Sequence, residues 1–594
     1  MNKDIAQALQ EIATLMKLTG ENDFRSMAFD RAARNIESFQ GDLSELIENQ
    51  QLSTIKGIGK SIANDILQYT RTGTIPVLEK LREKVSPELM QWLDIPGLGP
   101  KKIHAIHQNL AITRLDQLKT ACEDGRVASL PGMGKKTAEK ILLSISWMEQ
   151  HSKRCRIDEA TKIAHLFIDE LKKSEHVHDI SVAGSLRRAL ETIGDIDILL
   201  SSDSEHASKI MDQFVRFHQV TEIIGKGDTK SSVRTTSGRQ VDLRIVEPRH
   251  FHAALLYFTG SKEHNIVLRK RARSRDLVLN EYGLYPISQE INPGETSPLP
   301  IQSESDIYHR LDLHFIPPEM REDYFEFDLF EAIVDATART EGKPDQELVS
   351  SHDLKGVIHL HTRWSDGNNS IEEMANACIK QGYQYMCVTD HSRSAAYAGG
   401  LTIEQVYAQW KEIDRVNNEL EKIGSPFRIL KGTETDILAD GTLDYPDELL
   451  KGFDLVIASV HSGIDMPADK MLDRLKKAVS NRYTHIIGHP TGRLLLRREG
   501  NKVDLEKLIP FAADYHTAME INANPWRLDL DWRYGGVIRS TGLMSVICPD
   551  AHDISGLDHM IYGIGTARKA GLAPAQVLNT LSLKDLSDWL NQKQ

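Results

Sequence analysis

The sequence predicts a multidomain α/β protein with a helical N-terminal region, a middle of mixed strands and helices, and an α/β barrel-like C-terminal third. Three observations carry that prediction. A chain of 594 residues exceeds what one hydrophobic core can organise, since cores stop growing at roughly 250–300 residues. Glycine-rich turns of one pattern recur three times in the first 150 residues, each between helix-like stretches. From about residue 155 onward, short β-branched runs alternate with amphipathic helix-period segments, the order that builds layered α/β units.

The composition, 40% hydrophobic and 26% charged, is that of a globular chain. No window approaches the roughly 20 apolar residues that span a bilayer, and Met1-Asn2-Lys3-Asp4-Ile5 opens an amphipathic helix rather than a signal peptide. Five scattered cysteines without a CxxC pair fit a reducing compartment and argue against a disulfide framework. A cytoplasmic protein without a membrane partner is the expectation. The net charge of −13 is unevenly spread: residues 51–300 are mildly basic and the flanking stretches acidic. That distribution is compatible with a surface that tracks phosphates, but total charge does not decide the point.

In the helical region the repeated turns are Ile55-Lys56-Gly57-Ile58-Gly59-Lys60, Ile95-Pro96-Gly97-Leu98-Gly99-Pro100-Lys101-Lys102 and Leu130-Pro131-Gly132-Met133-Gly134-Lys135-Lys136. Glycines one residue apart permit a tight turn and present N–H groups at a helix N-terminus, where a phosphate can sit; the lysines behind add charge. A single copy is equally explained by a glycine-capped helix turn. Three copies favour sequence-independent contact with a DNA backbone through Gly57, Gly59, Lys60, Gly97, Gly99, Lys101, Lys102, Gly132, Gly134 and Lys135. The turns resemble helix-hairpin-helix motifs.

The middle region carries Ile180-Ser181-Val182-Ala183-Gly184-Ser185-Leu186-Arg187-Arg188, then Gly194-Asp195-Ile196-Asp197-Ile198. In a strand Asp195 and Asp197 share one face while Ile196 and Ile198 pack on the other. Asp242, in Gln240-Val241-Asp242-Leu243-Arg244-Ile245, alternates with apolar neighbours in the same way. Carboxylates on one face repel unless a cation lies between them. Three from adjacent strands can hold two Mg²⁺ or Mn²⁺ ions, which activate a 3′ hydroxyl and steady a leaving pyrophosphate. Gly184, Ser185 and Arg188 supply donors for a triphosphate. A lone Asp-x-Asp would fit a strand-edge turn or a calcium loop as well. The Pro/Gly/Ser-rich patch Asn292–Pro298 marks a loop, and the polar stretch from Arg339 to Ser351 reads as a linker.

The C-terminal third gathers ligand-type residues at the ends of β-branched runs: His359 and His361, Asp366, His391, Glu434, His461, His489, Asp550 and His552. His-x-His on a strand puts both imidazoles on one side. Mixed imidazole and carboxylate ligands suit Mn²⁺, Zn²⁺ or Fe²⁺ better than Mg²⁺. Strand exits are where barrel active sites sit. Any one of these histidines could be structural; nine such residues at strand ends are hard to explain that way. His485, His516 and His559 read as structural or solvent-facing.

The segment Gly184-Ser185 with Arg187-Arg188 and Gly194-Asp195-Ile196-Asp197 resembles the nucleotidyltransferase signature of family X DNA polymerases, the family of DNA polymerase beta. The resemblance continues through Tyr257-Phe258-Thr259-Gly260-Ser261 and Leu279-Asn280-Glu281-Tyr282-Gly283-Leu284. It implies a polymerase beta-like palm with Asp195, Asp197 and Asp242 catalytic. It further implies contacts to the incoming nucleotide from Gly184, Ser185, Arg188, Gly194, Tyr257, Phe258, Gly260 and Asn265, and to the template strand from Arg269. The C-terminal set resembles the PHP (polymerase and histidinol phosphatase) domain of bacterial members of that family, as do Gly488-His489-Pro490-Thr491-Gly492-Arg493 and Glu520-Ile521-Asn522-Ala523-Asn524-Pro525. It implies a distorted (β/α)7 barrel whose nine ligands hold up to three divalent ions, at which activated water attacks a phosphodiester.

Three departures stand out. Gln240 replaces the family's basic residue two positions before the third aspartate. Asp65 stands where polymerase beta has its Schiff-base lysine, so lyase activity does not carry over. Val357 replaces the usual aspartate before His-x-His, which is expected to loosen the orientation of His359.

The expected organisation is an N-terminal helical domain at 1–90, a fingers-like helical domain at 91–155 and the palm at 156–240. The palm end and a thumb-like nucleotide-selection region follow at 241–317, then a linker at 318–352 and the PHP domain at 353–594. The expected activity is gap-filling DNA synthesis in repair, joined to 3′–5′ exonuclease, with 3′ phosphatase or abasic-site endonuclease open to the same centre. Expected partners are dNTPs, gapped or nicked duplex and 3′ ends, with the chain acting as a nucleoid-associated monomer. Two other arrangements fit the same residues: a polymerase braced by a structural metal centre, and a phosphoesterase whose polymerase half only positions DNA.

Overall fold

The computed structural model describes residues 2–593 apart from 22, 38–42, 50, 56, 96–97, 152–153, 289–296 and 331–347. Gly97, most of the 292–298 loop and the start of the 339–351 linker therefore lie outside the described residues. The chain forms two compact units, 1–152 and 153–594.

The first unit is helical. Its first helix, Asn2–Thr19, buries Ile5, Leu9, Ile12 and Met16 at helical spacing and packs on Asp23–Glu37, Pro76–Lys84 and Pro100–Leu110. One apolar cluster runs from Ile5 to Ile145, so no break in the core falls at residue 90. Each repeated turn leads directly into a helix: Lys60–Thr72, Pro100–Leu110 and Lys135–His151. The apolar residue between the paired glycines is buried in all three (Ile58, Leu98 and Met133), which pins the turn to the core. Gly57 and Gly132 have φ of 85° and 76°, a left-handed backbone that glycine adopts without penalty. Gly59 and Gly99 sit at the N-caps in extended conformation. Lys60, Lys101 and Lys135 are exposed beyond them.

The second unit opens with nine strands: β1 (Cys155–Arg156), β2 (Asp179–Val182), β3 (Thr192–Ile193), β4 (Asp195–Ser201), β5 (Val220–Lys226), β6 (Lys230–Thr235), β7 (Gln240–Val246), β8 (Leu277–Asn280) and β9 (Gly283–Pro286). Five form a sheet in the order β2-β4-β7-β6-β5, with β4 and β7 parallel and the other pairs antiparallel. The helices Ile157–Leu171 and Ser204–Val215 bury Phe167, Leu171, Ile210 and Phe214 against the face that carries Ile196, Ile198 and Leu243. The opposite face is left for the carboxylates.

Phe251–Thr259 packs Phe251 and Leu255 on Leu199, farther along the carboxylate face, and with Lys262–Arg273 and Glu304–Arg310 it joins β8 and β9 around Leu256, Leu268, Leu284, Ile307 and Tyr308. Residues 318–330, expected to be part of the linker, fold into this subdomain. Met320, Arg321, Glu326 and Phe330 are buried, Arg321 pairs with Glu304 at 2.6 Å, and Glu326 accepts from His264 Nδ1 at 2.9 Å. Charges enter a core when they meet partners there, and a reading of polarity alone cannot see such partners.

The remaining strands are β10 (Gly356–Leu360), β11 (Tyr385–Val388), β12 (Arg428–Asp436), β13 (Leu455–Ser459), β14 (Ile486–Ile487), β15 (Ala518–Asn522) and β16 (Ser545–Cys548). They run parallel in sequence order as a nearly closed seven-stranded barrel, with an isolated bridge from Leu360 to Ala551, just past β16. Every residue of β10, β11, β13 and β15 is buried, as expected of strands covered by helices on the outside. All five cysteines are buried and free. No helix among the described residues is long and apolar enough to cross a membrane.

Candidate active sites

In the sheet, parallel pairing of β4 with β7 sets Asp197 directly opposite Asp242, with Asp195 two residues along the same face. Ligand oxygens of all three lie within 4.8 Å of one another. Burial and the neighbouring Asp195 and Asp242 push the Asp197 carboxyl up to about 7. A cation between the carboxylates would reverse that shift, so the donor set fits a divalent metal. Gly184 has φ of 56°, and a Cβ there would overlap the Asp197 carboxylate.

Gln240, the departure from the family pattern, donates to Asp242 Oδ1 at 2.8 Å. Lys230, on the neighbouring strand β6, contacts Asp242 Oδ2 at 3.0 Å. The cation missing two residues upstream thus arrives from across the sheet. Sequence reasoning missed Lys230 because the β6–β7 register that brings it there is set by tertiary pairing.

Ser185 stands half-buried on the short helix Gly184–Arg187, and Gly194 directly precedes β4. The two arginines that look alike in sequence divide. Arg187 pairs with Glu304 and donates to Thr259 Oγ1 at 2.7 Å, a structural role. Arg188 faces the Tyr257–Ser261 turn, donating to the Thr259 carbonyl at 2.5 Å, and pairs with Glu322 at 3.0 Å. The Gly260–Ser261 peptide is cis. Tyr257, Asn265 and Arg269 line one small pocket with Asn280, and Asn265 donates to the Tyr257 carbonyl at 2.8 Å. Phe258 lies beneath the Arg244 guanidinium at 4.2 Å.

In the barrel, all nine ligand-type residues converge at the C-terminal ends of the strands. They form overlapping groups in which every ligand atom lies within 4.8 Å of the others: His361, Asp366, His391 and His552; His359, Glu434 and His489; His359, His361 and Asp550; His391, Glu434 and His461. Glu434 is the hub, with contacts to His391 at 2.8 Å, His489 at 3.0 Å, His461 at 3.2 Å and His359 at 3.4 Å. His359 and His361 do bring both imidazoles to one side, their rings 5.3 Å apart, but not from a regular strand. β10 is bulged between Val357 and Leu360, and His359 has φ of 66°. The bulge re-aims the imidazoles, a recurrent use of bulges beside active sites. His489 and Asp550 also take positive φ.

The donor set fits metal ions on its own chemistry. His359 Nε2, His361 Nδ1 and Nε2 and His489 Nδ1 are buried without a hydrogen-bond partner, which is costly unless something ligates them. Burial, with His552 and His391 alongside, pushes His361 down to about 3, so it stays neutral with a lone pair to offer. Burial lowers His391, but Glu434 and Asp366 outweigh it and push it up to about 11. The cluster opens to solvent at Asp366 and His552, whose side chains are 32% and 38% exposed.

Residues absent from the sequence-derived ligand set hold these ligands in place. Glu520 accepts from His359 Nδ1 at 2.5 Å and Asp436 from His461 Nδ1 at 2.5 Å. Asn522 links the Glu520 and Asp550 carboxylates at 3.2 and 3.1 Å. Asp390, on the Thr389-Asp390-His391 run, accepts from Thr362, Ser365 and Gln409 and fixes the loop that carries Asp366. His359 is therefore oriented despite Val357, which is wholly buried in an apolar cluster with Met386 and Val388. Glu520 was legible only as part of a motif, because 161 residues separate it from His359. Glu520→Gln is expected to lower barrel-centre activity roughly 10–100-fold, the usual range when a metal-bound imidazole loses its orienting carboxylate; a hydrolysis rate within twofold of wild type would contradict that role.

Known families match in chain order: a helix-hairpin-helix domain at residues 1–75, a SAM-like helix-hairpin-helix tandem at 89–146, the DNA polymerase beta palm at 154–241, the DNA polymerase beta thumb at 254–322 and the PHP domain at 358–524. The DNA polymerase/3′-5′ exonuclease PolX of Bacillus subtilis (strain 168) is 40% identical over 592 residues, 99% of each chain. A probable phosphatase of Thermoanaerobacter sp. (strain X514) is 27% identical over 257 residues, covering 41% of this chain and 97% of that protein. DNA polymerase lambda of Rattus norvegicus is 23% identical over 342 residues, 54% of this chain and 56% of that one. With identity of that order over the full length of both chains, and palm, thumb and PHP regions each matched in place, the chain belongs to the family X DNA polymerases that carry a C-terminal PHP domain.

Proposed function

We propose that this protein is a DNA polymerase and 3′–5′ exonuclease that fills short gaps and trims 3′ ends in DNA repair, with two separate active sites. The observation that carries this reading is convergence: three aspartates in the palm and nine ligand-type residues in the barrel form two clusters within one compact unit. The full-length likeness to PolX supports it.

In the palm, Asp195, Asp197 and Asp242 are the catalytic carboxylates, and the Lys230 contact orients Asp242. Ser185 and Arg188 bind the triphosphate. Tyr257, Phe258 and Gly260 pack against the sugar of the incoming nucleotide, Asn265 contacts its base, and Arg269 contacts the template strand. In the barrel, His359, His361, Asp366, His391, Glu434, His461, His489, Asp550 and His552 are the ligands. Arg527, 3.5 Å from Asp550, offers a guanidinium to a bound phosphodiester. Both centres take divalent cations, Mg²⁺ or Mn²⁺ in the palm and up to three Mn²⁺, Zn²⁺ or Fe²⁺ ions in the barrel. When bound, these ions activate the attacking hydroxyl or water and offset charge on the phosphoryl oxygens. The paired-glycine turns bind DNA through phosphates, which suits gaps, nicks and ends rather than a sequence. The protein acts as a cytoplasmic, nucleoid-associated monomer. Asp65, half-buried on Lys60–Thr72, offers no amine for lyase chemistry.

The test is a 5′-labelled duplex with a one-nucleotide gap, incubated with Mn²⁺ with and without dNTPs. Extension by one nucleotide with dNTPs and shortening without them are expected, both abolished by chelation. Extension with no shortening under any divalent ion would rule out the exonuclease and leave the barrel centre either a structural brace or a site for another phosphoester.

A further inference from the structure

The palm and the barrel meet at one buried cation. Lys569 ends the helix Met560–Lys569, which follows the Asp550 and His552 ligand loop after the turn Ile554–His559. Its side chain is 1% exposed. A buried ammonium is strongly unfavourable unless its three N–H groups are satisfied, and here they are. Nζ donates to Glu322 Oε1 at 2.6 Å, to the Glu319 carbonyl at 3.0 Å and to the Arg188 carbonyl at 3.1 Å. The Trp532 ring lies 4.6 Å from the same nitrogen.

The same Glu322 oxygen accepts from Arg188 Nε at 3.0 Å. One carboxylate oxygen is thus shared between a barrel lysine and the palm arginine that donates to the Thr259 carbonyl beside Gly260. An unshared carboxylate on a phosphate-binding arginine would draw the guanidinium away from phosphate and cancel its charge. Lys569 offsets Glu322 and ties the Arg188 backbone to the barrel.

From this geometry we infer that Lys569 of the PHP domain is a positioning residue for DNA synthesis: by neutralising Glu322 it keeps Arg188 available to the triphosphate of the incoming nucleotide. The inference rests on the assignment of Arg188 to the triphosphate. It makes the barrel a working part of the polymerase site, independent of its own metal centre, and it gives a reason for this lysine to be buried at an interdomain contact.

The experiment is single-nucleotide gap filling at saturating DNA, reading KM for dNTP apart from kcat, with exonuclease rate on single-stranded DNA as the measure of an intact barrel. Lys569→Met is expected to raise KM for dNTP on the order of tenfold, the scale of a lost charged hydrogen bond, with exonuclease within about twofold of wild type. The double variant Lys569→Met with Glu322→Gln removes both charges and is expected to bring KM back to within about threefold of wild type. A merely structural lysine gives no such rescue, so a double variant as impaired as the single overturns the proposal. If Lys569→Met does not yield a folded barrel, Glu322→Gln alone decides: KM unchanged or lower supports the proposal, and KM raised overturns it. Arg188→Ala separates the two readings. If it raises KM while Lys569→Met does not, the lysine has no positioning role; if it leaves KM unchanged, the triphosphate assignment itself falls, and this inference with it.

Discussion

Glu434→Ala is expected to abolish 3′ shortening, by roughly three orders of magnitude or more, while gap filling stays within about twofold of wild type. That loss corresponds to about 4 kcal/mol of transition-state stabilisation. Glu434 is wholly buried and touches His359, His391, His461 and His489, and it belongs to two of the four ligand groups. With His361 at 3.7 Å as well, it faces five imidazoles, so its removal disperses the centre rather than weakening one ligand. Burial alone would raise its carboxyl, but the nearby His461, His359 and His391 outweigh burial and set it far below the ordinary range. It is therefore the negative charge that compensates those imidazoles in metal-free protein. Truncation leaves buried cations unpaired, which costs about 3–5 kcal/mol where one partner of a buried pair is removed. Chelated Glu434→Ala should accordingly melt below chelated wild type by calorimetry. Shortening that survives within tenfold of wild type would mean that chemistry at the barrel does not depend on the Glu434 hub.

Asp197→Asn is expected to reverse the pattern: extension falls roughly 10³-fold or more and exonuclease is retained. It also makes a stability prediction of opposite sign to the usual loss of a charged group. The Asp197 carboxyl is raised from 3.8 to about 7 by burial and by Asp195 and Asp242. A carboxyl whose folded pKa lies above its unfolded value binds more protons in the native state. Its stabilising contribution is present at low pH and is lost as pH rises toward 7. At pH 8 ionised Asp197 therefore destabilises metal-free protein, by on the order of 2 kcal/mol once partial solvent exposure is allowed for. Asparagine removes that burden. The melting temperature of chelated Asp197→Asn should exceed that of wild type at pH 8 and match it near pH 4. Saturating Mg²⁺ should close the pH 8 gap, because the ion stabilises only the carboxylate form. Equal melting at pH 8 without metal would show that the three carboxylates do not repel as their spacing requires.

The sequence by itself determined the chemistry. Metal-assisted phosphoryl transfer needs particular residue types, and those types betray themselves wherever they interrupt apolar strands: Asp195, Asp197 and Asp242 in the palm, the His-x-His pair and its seven companions in the barrel. Strand alternation also told which face of β4 the aspartates would share. The helical first unit was legible for a similar reason, since glycine pairs with a buried apolar residue between them leave a local signature that needs no distant partner.

Tertiary structure decided everything that depends on one element meeting another far along the chain. Lys230 stands in for the basic residue that Gln240 replaced only because β6 and β7 pair in one register. Glu520 orients His359 from across the barrel, which removes the weakness expected of Val357. Arg321 and Glu326 belong to core rather than to the expected linker because Glu304 and His264 await them. Arg187 and Arg188 are adjacent and chemically alike, yet one is bound to Glu304 and the other shares Glu322 with Lys569. A buried charge is stable only beside its complement. The identity of that complement is a property of the folded chain, and no local pattern of residues carries it.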